Sequence, residues 1–143
     1  MPKTLIYYYV GAYGPTIRID TLTKTWLEYL KDNVLKLIAG DIKELKIDCM
    51  ENVVISDMKS LTLKKVGREV RRKIFVQDNN NNINDFIWLQ DIEELITLAG
   101  LIDGLLDCNQ SGHQYLTSEE DGVLITLAYM EYHQTNKSLG VYN

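Results

Sequence analysis

The sequence has few of the residues that build disulfide frameworks, metal sites and active sites. Its 143 residues include two cysteines, Cys49 and Cys108, and two histidines, His113 and His133. Two widely separated cysteines do not make the dense framework of a small secreted domain, and they indicate reduced thiols in a cytosolic protein. No group of residues has zinc-ligand spacing, and Glu131 with His133 offers only half a site. We therefore expect no metal and no cofactor.

Long apolar runs are also missing. The longest uncharged apolar run is far shorter than the roughly 20 residues that a membrane-spanning helix needs. The N-terminal stretch MPKTLIYYYVGAYG lacks the apolar region and cleavage site of a secretory signal peptide, and residues 4–10 indicate a buried strand instead. The length and the apolar content of 45% are sufficient for one domain, residues 1–143, with its own core.

Basic residues are absent from one long interval of the chain. Residues 1–73 contain fourteen Lys or Arg and nine Asp or Glu, whereas residues 74–136 contain eleven Asp or Glu and no Lys or Arg. The formal net charge of −5 hides this division. The chain is therefore a basic half followed by an acidic half, and the acidic half is where we expect a partner of opposite charge to bind.

The stretch from Asp91 to Asp107, DIEELITLAGLIDGLLD, predicts an amphipathic helix over about 91–107. Asp91 and Glu94 have the spacing of a capping box, with Asp in place of Ser or Thr. At 100° per residue the leucines, Ala99 and most of the isoleucines fill one arc, which indicates the side that faces the core. The opposite arc contains Glu93, Thr97, Gly100, Asp103, Gly104 and Asp107.

The two glycines on this polar arc admit three interpretations. Each glycine costs about 1 kcal/mol relative to Ala in a helix interior. They can be a tolerated weakness, or mark a kink between two shorter helices. They can form a flat acidic stripe that another backbone approaches closely. They can also belong to a turn that ends the helix early.

The rest of the chain predicts an α+β fold with a mainly antiparallel sheet and two main helices. The other helix is expected over about 21–39, with Gly40 just past its end. A half-buried strand is expected over 45–49, and a hairpin over about 60–77. The segment 78–85, DNNNNIND, is expected to be a polar loop, and 123–131 a strand covered on both faces.

A basic run immediately precedes the acidic half and consists of Lys64, Lys65, Arg68, Arg71, Arg72 and Lys73. Six cations in ten residues could contact phosphates. The sequence pI of about 5.0, however, argues against a nucleic-acid partner. We favour a solvated face of the expected hairpin. The alternative is a contact with the acidic half, either within the chain or in a second copy.

Acidic side chains and one tyrosine are the candidate contacts for a protein partner. Acidic surfaces speed the encounter with basic partners and help to select them. Tyrosine, which supplies nine of the thirteen aromatic residues, is favoured at the centres of interfaces. A merely solvated acidic face is the alternative interpretation. The candidates are Glu93, Asp103, Asp107, Glu119, Glu120, Asp121 and Tyr115.

The stretch from GHQYL at 112–116 to DGVLITLAYME at 121–131 is rich in tyrosine and carboxylates. In a small acidic α+β chain without a catalytic motif, it resembles bacterial immunity proteins, which neutralise polymorphic or contact-dependent growth-inhibition toxins. The resemblance covers about the last third of the chain. It implies a tight, specific complex with a cognate toxin domain, often a basic nuclease, and it implies neither catalysis nor a cofactor.

Two other classes of function stay open. One is a homo-oligomeric structural protein in which the cations of 64–73 meet the acidic half of a neighbour. The other is a small hydrolytic enzyme built around His113, although no nucleophile elbow or comparable motif is present. We predict a non-catalytic cytosolic protein, monomeric or homodimeric, that binds a basic protein partner and neither nucleic acid nor membrane.

Overall fold

The sequence folds into two helices and nine strands in the part of the chain that the computed structural model describes, residues 3–77, 84–108, 110–117 and 121–131. The helices are α1 (Lys24–Ala39) and α2 (Ile92–Leu106). The strands are β1 (Thr4–Gly11), β2 (Gly14–Thr21), β3 (Glu44–Lys46), β4 (Val53–Ser56), β5 (Ser60–Lys65), β6 (Ile74–Gln77), β7 (Asp85–Gln90), β8 (Gly112–Tyr115) and β9 (Leu124–Tyr129). The predicted α+β class and both predicted helices are confirmed.

The strands form two mixed sheets. The first sheet has the order β4-β1-β2-β9-β8, and the second has the order β3-β5-β7-β6. Among the described strands, four neighbouring pairs are antiparallel and three are parallel, namely β1 with β4, β2 with β9 and β5 with β7. The prediction of a mainly antiparallel sheet is therefore only partly right, because each sheet contains at least one parallel pair that joins distant segments.

The hairpin predicted over 60–77 is wrong. Strand β7 lies between β5 and β6 and pairs with β5 in parallel and with β6 antiparallel. Trp88 on β7 stands opposite Leu63 of β5 and Ile74 of β6, and all three side chains are buried. Placing β7 in the middle buries its two large aromatic side chains between apolar neighbours, which a direct β5–β6 pairing would leave uncovered.

The half-buried strand predicted over 45–49 is also wrong in its second half. Strand β3 ends at Lys46, and residues Ile47–Cys49 form a single 3₁₀ turn. Ile47 remains fully buried in the main core, but the turn leaves Cys49 exposed. The Asp48 Oδ1 atom accepts a hydrogen bond from the Leu61 backbone N at 2.9 Å. The backbone N–H group near the start of β5 thus has a side-chain acceptor in place of the backbone carbonyl of a neighbouring strand.

Both helices begin with capping signals that their sequences contain, and α1 also ends with one. The Thr23 Oγ1 atom accepts from the Trp26 backbone N at the start of α1, and Gly40 follows its end with a φ of 83°. At α2 the Asp91 Oδ1 atom accepts from the Glu94 backbone N at 2.8 Å, and the Glu94 Oε1 atom accepts from the Asp91 backbone N at 3.0 Å. The predicted capping box is therefore formed in both directions.

Helix α2 continues without interruption through both of its glycines. Two interpretations of the glycines are therefore wrong, namely a kink between two shorter helices and a turn that ends the helix early. A Cβ atom at Gly104 would lie 3.1 Å from the Gln114 Nε2 atom of β8, whereas a Cβ atom at Gly100 would meet nothing within 4 Å. Gly104 lets β8 pack close to the helix, and Gly100 leaves a flat, open position on its exposed side.

The main core draws on both sheets and both helices. The inner faces of β1, β2 and β9 contribute Ile6, Ile17, Ile19, Ile125 and Leu127, and the second sheet contributes Leu61, Leu63, Phe86 and Trp88. The two sheets touch where the Tyr8 ring lies 5.2 Å from the Phe86 ring. Strand β9 lies inside its sheet, and residues 125–128 are buried on both faces, as predicted.

Replacing the open glycine should stabilise the fold. The substitution Gly100→Ala removes the backbone entropy cost of glycine in a helix and meets no neighbouring atom, so we expect a gain of up to about 1 kcal/mol in the free energy of unfolding. Gly104→Ala is the matched control, and its gain should be smaller because the new methyl group presses on Gln114. Urea unfolding followed by circular dichroism measures both. Equal gains would contradict the close packing at Gly104.

Candidate functional site

A shallow acidic groove lies beside the first turns of α2. Its rim contains the carboxylates of Asp91, Glu93, Glu94 and Asp121, and the cavity volume is about 270 Å³. Leu98 and Leu116 form part of its floor. Segments that are almost thirty residues apart in sequence therefore meet at one surface, and two of the predicted partner contacts, Glu93 and Asp121, lie in the same groove.

Two cations of the basic run contact the acids of this groove. The Arg68 Nη2 atom lies 2.9 Å from the Glu93 Oε1 atom, and both side chains are 69% exposed. The Lys73 Nζ atom lies 2.7 Å from the Glu94 Oε1 atom, in a less exposed position. The alternative interpretation of the basic run, an intramolecular contact with the acidic half, therefore holds for Arg68 and Lys73.

Asp103 and Asp107 lie at the other end of α2. Asp103 is ten residues beyond Glu93, which at about 1.5 Å of rise per residue separates them by about 15 Å. Asp103 Oδ1 lies 2.5 Å from the Nζ atom of Lys31 on α1, and this hydrogen bond raises the pKa of Lys31. Asp107 is exposed at the C-terminal cap of the helix. The three predicted acidic contacts on α2 therefore occupy two separate positions along the helix, Glu93 near its start and Asp103 and Asp107 near its end.

Tyr115 lies outside the groove. It stands on β8, its side chain is 56% exposed, and its ring makes an edge-on contact with the His113 ring at 5.2 Å. The following residue, Leu116, lines the groove. Two of the other predicted contacts, Glu119 and Glu120, lie outside the described residues, as do His133 and residues 78–83 of the polar loop predicted over 78–85. The last residue of that predicted loop, Asp85, is the first residue of β7.

A buried ionic network is the polar feature that sequence reasoning missed. It lies on the face of the first sheet opposite the main core, where Tyr7 and Arg18 stand side by side on β1 and β2. Arg18 Nε donates to Asp20 Oδ1 at 2.9 Å, and Arg18 Nη2 donates to Glu131 Oε1 at 2.9 Å. Tyr7 Oη donates to Asp20 Oδ2 at 3.1 Å. The signal in the sequence is the alternation Ile17-Arg18-Ile19-Asp20, which places two charges on one face of a strand.

The network extends to the edge of the sheet through Glu131. The His113 Nδ1 atom lies 2.9 Å from the Glu131 Oε2 atom, so this carboxylate contacts both Arg18 and His113. Glu131 reaches this position because Met130 has a φ of 58°, which turns the chain at the end of β9. A left-handed conformation is uncommon for a residue with a side chain, and the Met130 backbone N donates to the Thr21 carbonyl, which holds the turn.

The shifted pKa values in this network have clear physical causes. Burial alone would raise the pKa of Glu131, but the hydrogen bonds and charges of His113 and Arg18 outweigh it, and its pKa is lowered. Burial and the charge of Asp20 raise the pKa of Tyr7 well above its ordinary value. Burial would lower the pKa of Arg18, but Asp20 and the other partners raise it. Asp20 and Glu131 both favour the charged form of Arg18. The hydrogen bonds of the network connect β1, β2, β8 and the end of β9.

Three further cavities lie elsewhere on the described surface. One of about 470 Å³ covers the outer face of the second sheet and includes Lys46, Lys59 and Lys64. One of about 360 Å³ lies between the sheets beside Tyr8, and one of about 200 Å³ lies near the start of α1. His113 lines none of these cavities and does not line the acidic groove. The hydrolytic alternative built on His113 therefore gains no cavity from them, and it stays a prediction.

Within the described ranges, no three or more His, Cys, Asp or Glu side chains are grouped so that they could hold a metal ion. The same part of the chain contains no helix of the length and apolar character needed to cross a membrane. Cys49 is exposed beside Asp48, whose charge raises the pKa of the thiol, and this disfavours the reactive thiolate form.

Glu131 should make the stability of the fold depend on pH. Because its folded pKa is lowered, its ionised form stabilises the fold above the ordinary pKa near 4.5, and this contribution is lost as the pH falls through the folded pKa. We expect Glu131→Gln to lower the free energy of unfolding by about 1–3 kcal/mol at pH 7. The difference should shrink as the pH falls through this lowered pKa, because wild-type Glu131 then becomes neutral itself.

Urea unfolding between pH 3 and pH 7 measures this difference. Glu51→Gln, at an exposed carboxylate before β4, is the control and should leave stability nearly unchanged throughout. A Glu131→Gln difference that is the same at every pH would show that packing, and not ionisation, is what the substitution removes.

No protein-family model, curated protein or solved structure matches this chain. The resemblance to immunity proteins therefore has only the residues quoted above as its basis, and the functional argument depends on the geometry of the groove.

Proposed function

We propose that this chain is a non-catalytic binding protein that covers a basic region of a protein partner in the cytoplasm. The observation that carries the proposal is the groove in which Asp91, Glu93, Glu94 and Asp121 line one cavity. Carboxylates from two distant segments lie on an open surface that a lysine or arginine side chain of a partner can enter. Asp103 and Asp107 extend the negative charge along α2, where a second basic side chain can bind.

The intrachain cations leave this surface able to bind. Glu93 and Arg68 are each 69% exposed, and exposed ion pairs of this kind contribute only about 0–1 kcal/mol. A partner's cation can therefore replace Arg68 at small cost, and the complex gains the contacts that surround it. Lys73 is less exposed and holds Glu94 in its capping box, so it supports the groove and does not compete for it.

The resemblance to immunity proteins supports a more specific proposal. A cognate toxin domain of the nuclease type is basic because it must bind a phosphate backbone. An acidic groove directed at such a surface speeds association and blocks the site that the nucleic acid needs. In this proposal the chain contributes charge and shape, and no step of chemistry.

Affinity capture from a lysate of the native host, first at low and then at high salt, identifies the partner by mass spectrometry. A single basic protein recovered in stoichiometric amount, and retained at moderate salt, is the expected result. Recovery of the bait alone would count against the proposal and would favour association of the chain with itself, which sedimentation at several salt concentrations then tests.

Charge reversal on α2 should slow association with the captured partner. We expect Glu93→Lys and Asp107→Lys each to lower the association rate constant about tenfold at low salt, with a smaller effect at high salt, because both carboxylates are exposed. Surface plasmon resonance measures the rates. Glu44→Lys, at an exposed carboxylate on β3, is the matched control. Equal rates for all three variants and the wild type would exclude this face.

A further inference from the structure

An apolar cleft adjoins the acidic groove. The cleft lies between the two sheets, has a volume of about 360 Å³, and is walled by Tyr8, Ile74, Val76, Phe86 and Val123. Ile74, Phe86 and Val123 are buried and belong to the main core, whereas Val76 on the edge strand β6 is 43% exposed. The cleft therefore has a fixed apolar floor and an accessible rim, which is the form of a site that receives one large side chain.

The cleft and the groove share a wall. Asp121 lines both cavities, and the turn at Gly122, with a φ of 85°, connects it to Val123 inside the cleft. A side chain in the cleft and a second one in the groove would therefore be close neighbours in a partner. The cleft supplies an apolar compartment and the groove an anionic one, and Asp121 is the lining residue that the two cavities have in common.

The charges that line the two cavities favour one orientation of a partner over the other. Arg72 lines the cleft, and its guanidinium lies 4.6 Å from the centre of the Phe75 ring, which holds it in place. In the cleft a partner's cation meets Arg72 as well as Asp121, whereas the groove is lined by four carboxylates, so the cation is attracted more strongly to the groove. An apolar side chain is neither attracted nor repelled by these charges, and burying it in the cleft is favourable because its apolar surface is removed from water.

We infer that the cleft binds an aromatic side chain of the partner that stands next to the lysine or arginine entering the groove. Buried aromatic and arginine side chains supply most of the affinity in many interfaces, and adjacent pockets for the two give both affinity and orientation. This inference rests on the proposed function and adds to it the chemistry of the recognised segment, an aromatic residue close to a cation.

Three blocked tripeptides serve as probes in NMR titrations of the full-length, ¹⁵N-labelled protein. They are acetyl-Trp-Gly-Arg-amide, acetyl-Ala-Gly-Arg-amide and acetyl-Trp-Gly-Glu-amide. We expect the first to bind about tenfold more tightly than either of the others, because it alone fills both compartments. It should shift the amide signals of the cleft (Ile74, Phe86) and those of the groove (Thr97, Leu98). The alanine peptide should shift only the groove signals.

Val76→Ser tests the cleft without disturbing the core. Val76 and Val54 are exposed valines, 43% and 38%, on edge strands of different sheets, so Val54→Ser is a matched control. We expect Val76→Ser to weaken the tryptophan-arginine peptide about threefold and to leave the alanine peptide unchanged, and Val54→Ser to change neither. Equal effects of the two substitutions would overturn the inference.

The possible failures can be told apart. If both arginine peptides bind the groove with equal affinity and the cleft signals stay fixed, the inference is wrong and the proposed function stands. If the glutamate peptide binds the cleft while neither arginine peptide shifts the groove, the proposed function is wrong, and so is the inferred pairing with a cation. Cleft signals that shift with protein concentration alone would show a second copy as the occupant, and binding by no peptide would overturn the inference as stated.

Discussion

Both sheets bury one face against the same main core, and the positions of the charged groups follow from this constraint. Strand β7 lies between β5 and β6 because its aromatic side chains, Phe86 and Trp88, need apolar neighbours on both sides. This placement brings Phe86 against Tyr8 and joins the second sheet to the first. Because the apolar face of α2 packs against the core, its acidic side chains lie on the outside of the molecule. There they are next to the segment that connects β5 to β6.

The division of the chain into a basic and an acidic half has a structural role as well as the proposed binding role. Arg68 and Lys73 from the basic half contact Glu93 and Glu94 in the acidic half, and Lys31 of α1 contacts Asp103. These pairs reduce repulsion along α2, and the most exposed of them is weak enough to be exchanged for a partner's cation. The buried network around Arg18 differs, because breaking a buried pair leaves an uncompensated charge and is costly.

The candidate site was only partly predictable. The sequence indicates Glu93, Asp103 and Asp107 because helical periodicity places them opposite the apolar arc of α2. The same periodicity does not predict that Asp121 and Glu93 line one groove. It also does not predict that Leu116 lines this groove while its neighbour Tyr115 lies outside it. The network of Tyr7, Arg18, Asp20, His113 and Glu131 links four segments, and the mixture of residue types in it has no spacing that a motif search could recognise.

Local signals in the sequence determined the two helices, the capping residue at the start of each, the glycine that ends α1, the first strand and the buried character of β9. Each of these depends on residues within a few positions of one another, through capping hydrogen bonds, side-chain periodicity or the left-handed backbone at Gly40. Only the tertiary structure decided which strands pair, that β7 displaces the expected hairpin, and that the groove and the cleft meet at Asp121. Those features arise because distant segments compete to cover the same apolar surface. A local sequence pattern does not predict which segment covers it.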